Sequence, residues 1–362
     1  MTEVKLIKLR KEFKSLVAVN DLTLTVEDGS LVSLLGPSGC GKTTTLRMIA
    51  GLTTPTSGEI YFDDKLVNDL KPQERNIGLV FQDYAVFHNM NAFDNIAFGL
   101  KIRGVPKAEI KKKVIEVSEL LNIKDILDSM PNRMSQSELQ SVALARTIVT
   151  NPTVLLLDEP LSNLDAALRA KMRAELKRLQ REIGQTVVYV THDQLEAMAI
   201  SDKIAVMNLG ILHQYGTPEE VYNNPNTKFV AGFIGSPPMN FIECTFVEEG
   251  EGCLDLGIAK LDVSKYREVI KRECSSFEVT LGIRPEDIKI SPNRASKTPI
   301  KVSVEAYEPL GSEAVIDTDL GGSLVRIIAP TTFTAKPGDE AYIGFDDRKL
   351  HIIDRKTEKV IV

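Results

Sequence analysis

The sequence of 362 residues lacks any apolar run long enough to span a bilayer, and its first ten residues lack the apolar core of a signal peptide. It has only 4 cysteines, and the spacing of Cys40, Cys244, Cys253 and Cys274 fits no metal-binding motif. Few cysteines without such a pattern favour a reducing compartment over a disulfide framework. We therefore expect a cytoplasmic protein, and any role at a membrane must come through a partner.

A large excess of charge is also absent. The formal net charge is −6, and the one dense basic run, residues 111–113, lies in a stretch that we interpret as a solvated helix face. Nucleic acid is therefore a poor candidate for a partner. Hydrophobic content of 43% and charged content of 26% are ordinary for a globular protein, and the length leaves room for two domains with separate cores.

The most informative segment is GPSGCGKTT at residues 36–44, which fits the phosphate-loop pattern G-x-x-x-x-G-K-[ST]. Glycines let successive backbone N–H groups turn toward a triphosphate, because no Cβ blocks the approach. Lys42 supplies a charge for the β- and γ-phosphates, and the Thr43 hydroxyl can bind Mg²⁺. An apolar run at 31–35 predicts a buried strand before the loop, and 44–50 predicts a helix after it. The candidate nucleotide-binding residues here are Gly36, Pro37, Ser38, Gly39, Cys40, Gly41, Lys42, Thr43 and Thr44.

Two carboxylates follow a second apolar run, VLLL at 154–157. A buried strand that ends in a polar turn would explain them, but downstream of a phosphate loop we favour a catalytic role. Asp158 would hold the Mg²⁺ shell, and Glu159 would orient or deprotonate the attacking water. His192 follows another apolar strand at the same edge of the sheet. A histidine in that place is more typical of a γ-phosphate contact than of a purely structural role.

The alternation of apolar strands and amphipathic helices over the first 235 or so residues predicts an α/β domain with a largely parallel central sheet. We predict strands at 77–81, 154–157, 186–190 and 203–207. A more helical section runs from about 90 to 150, with helices at 107–121 and 137–149. After the boundary at GSPP, residues 235–238, short strands at 277–283, 300–307, 324–328, 342–345 and 350–353 predict a small all-β barrel over 236–362.

These motifs, taken in order, resemble those of the ATP-binding-cassette (ABC) ATPases, whose fold is a P-loop NTPase domain with a helical subdomain. GPSGCGKTT resembles Walker A, and VLLLDEP resembles Walker B with its catalytic glutamate. The resemblance places Gln82 of VFQDY in the Q-loop, where it implies a metal and catalytic role, and His192 in the switch position. It makes SNLDA, residues 162–166, the D-loop with Asp165 facing nucleotide. Phe13 falls where the family stacks an aromatic ring on adenine, although an ordinary core phenylalanine would also fit.

Beyond residue 230 the chain resembles the MalK-type ATPases of carbohydrate importers, on AGFIGSPPMNF, GIRPEDI and EPLGSEAVI. That resemblance implies a regulatory domain of oligonucleotide-binding-like (OB) β fold, which is no sign of nucleic acid binding. It also implies a second ATPase subunit packed head to tail, two transmembrane permease subunits, and an external solute-binding protein that acts indirectly. The protein would then lie peripherally on the cytoplasmic side of the membrane. Residues 84–97 are the expected docking surface, with Phe87, Met90 and Phe93 either exposed there or packed internally.

One family element departs from the usual pattern. The signature L-S-G-G-Q-Q-Q-R is replaced at residues 134–141 by MSQSELQS, which keeps Ser135 and Gln140 but loses both glycines, the two glutamines after them and the final arginine. The replacement is either neutral drift or a weakened contact to the partner's ATP. Two functions therefore stay open. The first is a transport ATPase for a solute, with a sugar or oligosaccharide favoured and polyamine, phosphodiester or anion importers of similar layout left open. The second is a weakly hydrolysing regulatory subunit beside a competent paralogue.

Cys40 lies inside the phosphate loop, beside a predicted helix N-terminus and Lys42. That environment predicts a lowered thiol pKa and ready alkylation. The alternative is that Cys40 is only a small residue that fits the loop, with its sulfur turned inward.

Overall fold

The structure is a computed structural model that describes residues 2–248, 252–293 and 300–362. The chain forms two compact units, Met1–Glu219 and Glu220–Val362, whereas the sequence placed the domain boundary at 235/236. None of the helices in the described ranges is long and apolar enough to cross a membrane.

The first unit is built on strands that belong to two sheets. In chain order these strands are β1 (Val4–Phe13), β2 (Leu16–Val26), β3 (Leu31–Leu35), β4 (Ser57–Phe62), β5 (Lys65–Leu66), β6 (Ile77–Val80), β7 (Val154–Asp158), β8 (Thr186–Thr191), β9 (Lys203–Asn208) and β10 (Ile211–Gly216). The central sheet has the order β10-β9-β3-β8-β7-β6, and all its neighbours are parallel except β10 and β9. The largely parallel sheet predicted from the sequence is confirmed.

The central strands read as continuous apolar runs because both of their faces are buried. In β7, Leu155 and Leu157 enter a core shared with the helices, while Val154 and Leu156 enter a second core on the opposite face. The second core is closed by an antiparallel sheet of order β2-β1-β4-β5, which the sequence reading did not predict.

The helices of this unit are α1 (Lys42–Ile49), α2 (Ala92–Ile102), α3 (Lys107–Leu120), α4 (Gln136–Ile148), α5 (Ala166–Ile183) and α6 (Gln194–Ile200), and α7 (Pro218–Asn223) ends in the second unit. The predicted helices at 107–121 and 137–149 and the four predicted strands are confirmed, with ends displaced by one residue at most. Four of the described helices of this unit are capped by a side chain that accepts from a backbone N–H: Asn91 for α2, Ser135 for α4, Asp165 for α5 and Asp193 for α6.

After α7, the described part of the second unit contains the short helices α8 (Lys228–Phe233) and α9 (Arg267–Glu273) and is otherwise dominated by strands. These are β11 (Asn240–Val247), β12 (Cys253–Asp255), β13 (Lys260–Asp262), β14 (Glu278–Ile283), β15 (Ile288–Ser291), β16 (Ile300–Pro309), β17 (Glu313–Leu320), β18 (Ser323–Pro330), β19 (Glu340–Phe345) and β20 (His351–Asp354). They form two antiparallel sheets around one apolar core, in the orders β13-β12-β11-β14-β20 and β15-β19-β16-β17-β18.

The β-rich character of this unit was predicted correctly, and the five predicted strands are confirmed. The sequence reading missed strands such as β11 and β17, although both alternate buried and more exposed residues along their length. Period-two alternation in such strands is a weaker signal than a continuous apolar run, because only every second residue must be apolar and the other positions accept polar and apolar residues alike.

Candidate functional site

The phosphate loop connects β3 to α1 and depends on glycine at two positions. A Cβ at Gly36 would lie 2.1 Å from the carbonyl oxygen of Met207, so no larger residue fits between the loop and β9. Gly41 caps α1 with φ of 103° in the left-handed region, and a Cβ there would lie 2.4 Å from the carbonyl oxygen of Ala18. Close packing of the loop against two other segments therefore excludes side chains at both glycines.

Lys42 reaches back into the loop that carries it. Its Nζ donates to the carbonyl oxygens of Gly36 and Pro37, at 2.7 and 2.9 Å, and the residue is almost fully buried. The ammonium group therefore lies on the inner side of the turn, where an incoming phosphate would need a positive charge. Beside it, the hydroxyl of Thr45 donates to the carbonyl of Gly41 and fastens the first turn of α1.

The prediction of a reactive Cys40 with a lowered pKa is wrong. Cys40 is only 2% exposed and belongs to the core beneath the loop. Burial raises the pKa of the thiol above its ordinary value, and the nearby charge of Lys42 offsets only part of that effect. The alternative interpretation is therefore the correct one: Cys40 is a small residue that fits the loop, with its sulfur turned inward.

Thr43, in the first turn of α1, contacts Asp158 at the end of β7. The hydroxyl of Thr43 donates to Oδ1 of Asp158 at 3.0 Å, and burial raises the pKa of this carboxyl while the Thr43 hydrogen bond opposes the rise. The described residues contain no cluster of three or more His, Cys, Asp or Glu able to hold a metal. A hydroxyl and a carboxylate nevertheless fit Mg²⁺, a hard cation that takes few protein oxygens and completes its shell with phosphate and water.

Glu159 and His192 also come together, from the ends of β7 and β8. His192 Nδ1 lies 3.0 Å from Glu159 Oε2, and the backbone N–H of Glu159 donates to the carbonyl of Val190 at 3.0 Å. Glu159 adopts a φ of 47°, which is uncommon for a residue with a side chain. The His192 side chain is 53% exposed and that of Glu159 18%, so the pair faces an open surface that a ligand can reach.

Gln82 lies on an exposed loop after β6, and its placement depends on two distant segments. Its carbonyl accepts from Nδ2 of Asn163, at 3.0 Å. Two residues further on, Tyr84 and Ala85 have φ of 60° and 47°, and their carbonyls accept from the Arg146 guanidinium at 3.1 and 2.7 Å. Sequence reasoning missed Arg146 and Asn163 as supports of this loop. Arg146 ends the segment VALAR, residues 142–146 in α4, which directly follows the replaced signature.

Three predicted residues make other contacts: Phe13, Ser135 and Asp165. Phe13, at the end of β1, is 47% exposed with Lys11 over its ring, so it is not an ordinary core phenylalanine. The side chain of Asp165 accepts from the N–H of Leu168 and caps α5. Ser135 caps α4, far along the chain from the phosphate loop.

The predicted docking segment at 84–97 is only partly exposed. Phe87 is half-buried, with its ring centroid 4.6 Å from that of Phe98 and the Arg146 guanidinium over its face. Phe93 packs against the core of the helical region, and Met90 is half-buried. Internal packing, the alternative left open by the sequence, therefore describes Phe87 and Phe93, and His88 and Asn89 are the exposed residues between them.

A parallel sheet that delivers a phosphate loop, an acidic strand end and a histidine to one edge defines a phosphate-loop nucleotide-binding protein. Residues 19–162 match the family model described as ABC transporter. Residues 235–288 match the MalK OB fold domain, and residues 281–353 match the TOBE domain.

Two relatives match over nearly all of the chain or its full length. The trehalose/maltose import ATP-binding protein MalK of Thermococcus litoralis is 46% identical over 373 residues, covering 100% of both chains. The oligosaccharides import ATP-binding protein MsmX of Bacillus subtilis is 43% identical, covering 94% of each chain. Among solved structures, a dimeric post-hydrolysis state of the ATP-binding cassette MJ0796 bound to ADP and Pi aligns with a TM-score of 0.54 and 32% identity, covering 59% of this chain and 98% of that one.

The chain belongs to the ABC transporter ATP-binding proteins, in the MalK/UgpC carbohydrate uptake subfamily with MalK OB and TOBE domains. Its enzymatic activity is that of an ABC transporter ATPase, in which ATP hydrolysis is coupled to import.

Proposed function

We propose that this chain is the ATP-hydrolysing subunit of an importer for a sugar or oligosaccharide. The observation that carries the proposal is the pair of contacts at one sheet edge, Thr43 with Asp158 and Glu159 with His192. The named substrates of relatives include trehalose/maltose, oligosaccharides, sulfoquinovosyl glycerol and sn-glycerol-3-phosphate. A sugar or sugar derivative is the class that most of these share.

In the proposed mechanism the backbone N–H groups of residues 36–44 and Lys42 bind the phosphates. Thr43, Asp158 and Gln82 would hold Mg²⁺, which would neutralise charge on the phosphate oxygens when bound. Glu159 orients the attacking water and accepts its proton. His192 holds the Glu159 carboxylate through the 3.0 Å contact and faces the γ-phosphate from the same open surface.

The other proposed roles concern adenine and the partner subunit. Phe13 offers an exposed ring face on which adenine can stack. Ser135 and Asp165 would contact nucleotide across a dimer with a second ATPase subunit, either a second copy or a paralogue. We further propose two transmembrane permease subunits as partners, an external solute-binding protein that acts through them, and a peripheral position on the cytoplasmic face of the membrane.

A second function, an ATP-binding regulatory subunit with weak hydrolysis, is favoured by the start of α4. Glu138 Oε2 accepts from both the backbone N–H and the hydroxyl of Ser135, at 2.7 Å each, while the Glu138 N–H donates to the Ser135 hydroxyl at 3.3 Å. This capping box places a carboxylate at the helix N-terminus that would face the partner's ATP. A subunit with such a cap would bind ATP in its own phosphate loop but would contact the ATP bound to its partner only weakly, so hydrolysis of that ATP would be slow.

The catalytic proposal is tested by Glu159→Gln, for which we expect unchanged ATP binding and turnover lowered at least a hundredfold or so, because the water loses its base. Steady-state ATPase assays and equilibrium binding of a fluorescent ATP analogue measure the two effects. Lys42→Ala should instead weaken binding itself.

Glu116→Gln provides the matched control, since Glu116 lies on the exposed surface of α3 and should leave both quantities unchanged. Near-normal turnover in Glu159→Gln would remove Glu159 from the catalytic role.

A further inference from the structure

A buried carboxylate lies directly behind the turn that carries His192. Glu196, in α6, is 2% exposed, and its Oε2 accepts from the hydroxyls of Tyr189 at 2.9 Å and Thr191 at 2.7 Å. Burial raises the pKa of this carboxyl, and the two hydrogen bonds lower it again. No step of the proposed mechanism uses this group, although a buried carboxylate is costly unless it is well satisfied.

The same cluster holds the backbone on both sides of His192. Thr191 Oγ1 accepts from the N–H of Asp193 at 2.9 Å, and Asp193 Oδ1 accepts from the N–H of Glu196 at 3.2 Å. His192 lies between Thr191 and Asp193, so the cluster constrains the turn from which its imidazole projects. That imidazole contacts Glu159 at 3.0 Å.

Arg169 connects this turn to a different loop. It lies in the first turn of α5, directly after the segment 162–166, and its Nη2 donates to the carbonyl of Leu164 at 2.9 Å. Its Nη1 donates to Asp193 Oδ2 at 3.2 Å, and its Nε lies 3.7 Å from Glu196 Oε1. One guanidinium therefore spans the 162–166 segment and both acidic residues of the His192 turn.

The segment 162–166 is itself attached to the reacting groups. The hydroxyl of Ser162 donates to the carbonyl of Glu159 at 2.9 Å, and Asn163 holds the carbonyl of Gln82. A shift of this segment would therefore move Glu159 and Gln82 through the hydrogen bonds to their backbone carbonyls. It would also move His192 through Arg169.

We propose that Arg169 and Glu196 are positioning residues that lock the His192 turn to the 162–166 segment, so that this segment sets the geometry of the His192–Glu159 pair. The inference rests on the proposed ATPase role of that pair. Arg169 is suited to the task because its planar guanidinium donates to the Leu164 carbonyl and to the Asp193 carboxylate in fixed directions and keeps its positive charge 3.7 Å from the Glu196 carboxylate. The compact ammonium of lysine lacks this fixed fork of donors. Neither residue needs to contact nucleotide for this role.

The test compares Arg169→Met with Arg181→Met, an exposed position on the same helix. We expect Arg169→Met to lower kcat by about ten- to a hundredfold, because misplacement of catalytic groups by about an ångström costs that much, while KM for ATP stays within about threefold. Arg181→Met should leave both unchanged. Arg169→Lys should recover only part of the lost kcat.

A second arm asks whether Arg169 acts through His192. In a His192→Ala background, adding Arg169→Met should lower kcat little further, because the side chain being positioned is already gone. The near-isosteric Glu196→Gln removes the charge while keeping the volume. It should lower kcat less than Arg169→Met, and the double variant should match Arg169→Met alone.

Amide hydrogen exchange measures the structural effect independently of ATPase activity. In Arg169→Met, exchange should be faster than in the wild type both at 162–166 and at 191–195. Unchanged kcat in Arg169→Met, or an equal loss in the His192→Ala background, would overturn the inference while leaving the ATPase role intact. A wild-type protein that fails to hydrolyse ATP would instead overturn the proposed function.

Discussion

Cys40 shows how the environment of one side chain can reverse a prediction based on its neighbours in sequence. The adjacent lysine and helix N-terminus favour a thiolate, but the residue is packed beneath the loop, where desolvation raises its pKa. The thiol therefore stays protonated at neutral pH and its sulfur is shielded from reagents.

We predict that N-ethylmaleimide modifies Cys40 slowly in the native protein and with little protection by MgATP. Cys253 and Cys274 are only half-buried, and they provide the internal comparison. Mass spectrometry of tryptic peptides at successive times, with and without nucleotide, measures each site. Rapid modification of Cys40, together with a loss of ATPase activity that MgATP prevents, would contradict this prediction and support a reactive thiol at Cys40.

At the scale of elements, α4 contacts the loop after β6 through Arg146 and holds that loop in place. Two consecutive non-glycine residues, Tyr84 and Ala85, adopt left-handed backbone conformations, which cost on the order of 1 kcal/mol or more each. Arg146 offsets that cost by donating to both carbonyls. The position of the loop that carries Gln82 is thereby tied to the position of α4.

We predict that Arg146→Met lowers the free energy of unfolding by about 2–3 kcal/mol, since two charge-assisted hydrogen bonds to strained backbone are lost. Urea denaturation followed by circular dichroism measures the change. Arg133→Met, at an exposed position just before α4, should stay within about 0.5 kcal/mol of the wild type. Equal stabilities of Arg146→Met and wild type would mean that the loop holds its conformation without the guanidinium.

At the scale of the whole molecule, the start of α4 bears on what kind of dimer this chain forms. In the proposed dimer, Glu138 would bring a negative charge toward the partner's ATP. At about 7 Å and an effective dielectric constant near 20, the repulsion is about 2 kcal/mol per phosphate charge. A homodimer would carry that charge at both sites, and a heterodimer with an intact paralogue would carry it at one.

We predict that the chain alone hydrolyses ATP slowly, and that Gln136→Gly, Ser137→Gly and Glu138→Gln combined raise kcat about tenfold or more. The familial arginine at position 141 is left out of this variant because Ser141 is buried, and a large cation there would disturb packing.

Gln136→Ala with Ser137→Ala, which keeps Glu138, is the control and should stay slow. Parallel melting curves separate catalysis from folding. If the combined variant is no faster, the replaced signature is neutral and a plain homodimeric transport ATPase is favoured.

The sequence by itself determined those elements that depend on residues close together in the chain. The phosphate loop could be found from nine residues because the glycines, Lys42 and Thr43 act within one turn between a strand and a helix. The parallel strands could be found because burial on both faces makes each a continuous apolar run. Asp158, Glu159 and His192 could be assigned to one edge because parallel strands deliver their carboxyl ends there.

Only the tertiary structure decided how side chains from distant segments meet. In a capping box, a glutamate three residues after the helix cap bonds back to the cap's backbone N–H at the surface. Glu196 stands at that spacing after the cap Asp193, yet its buried carboxylate accepts from the hydroxyls of Tyr189 and Thr191. Arg146 and Arg169 read as ordinary helical arginines, yet each holds a loop of the site. These contacts depend on which surfaces pack together in the folded chain. The residues that packing brings into contact are far apart in sequence, and no periodic pattern of the sequence indicates that they will meet.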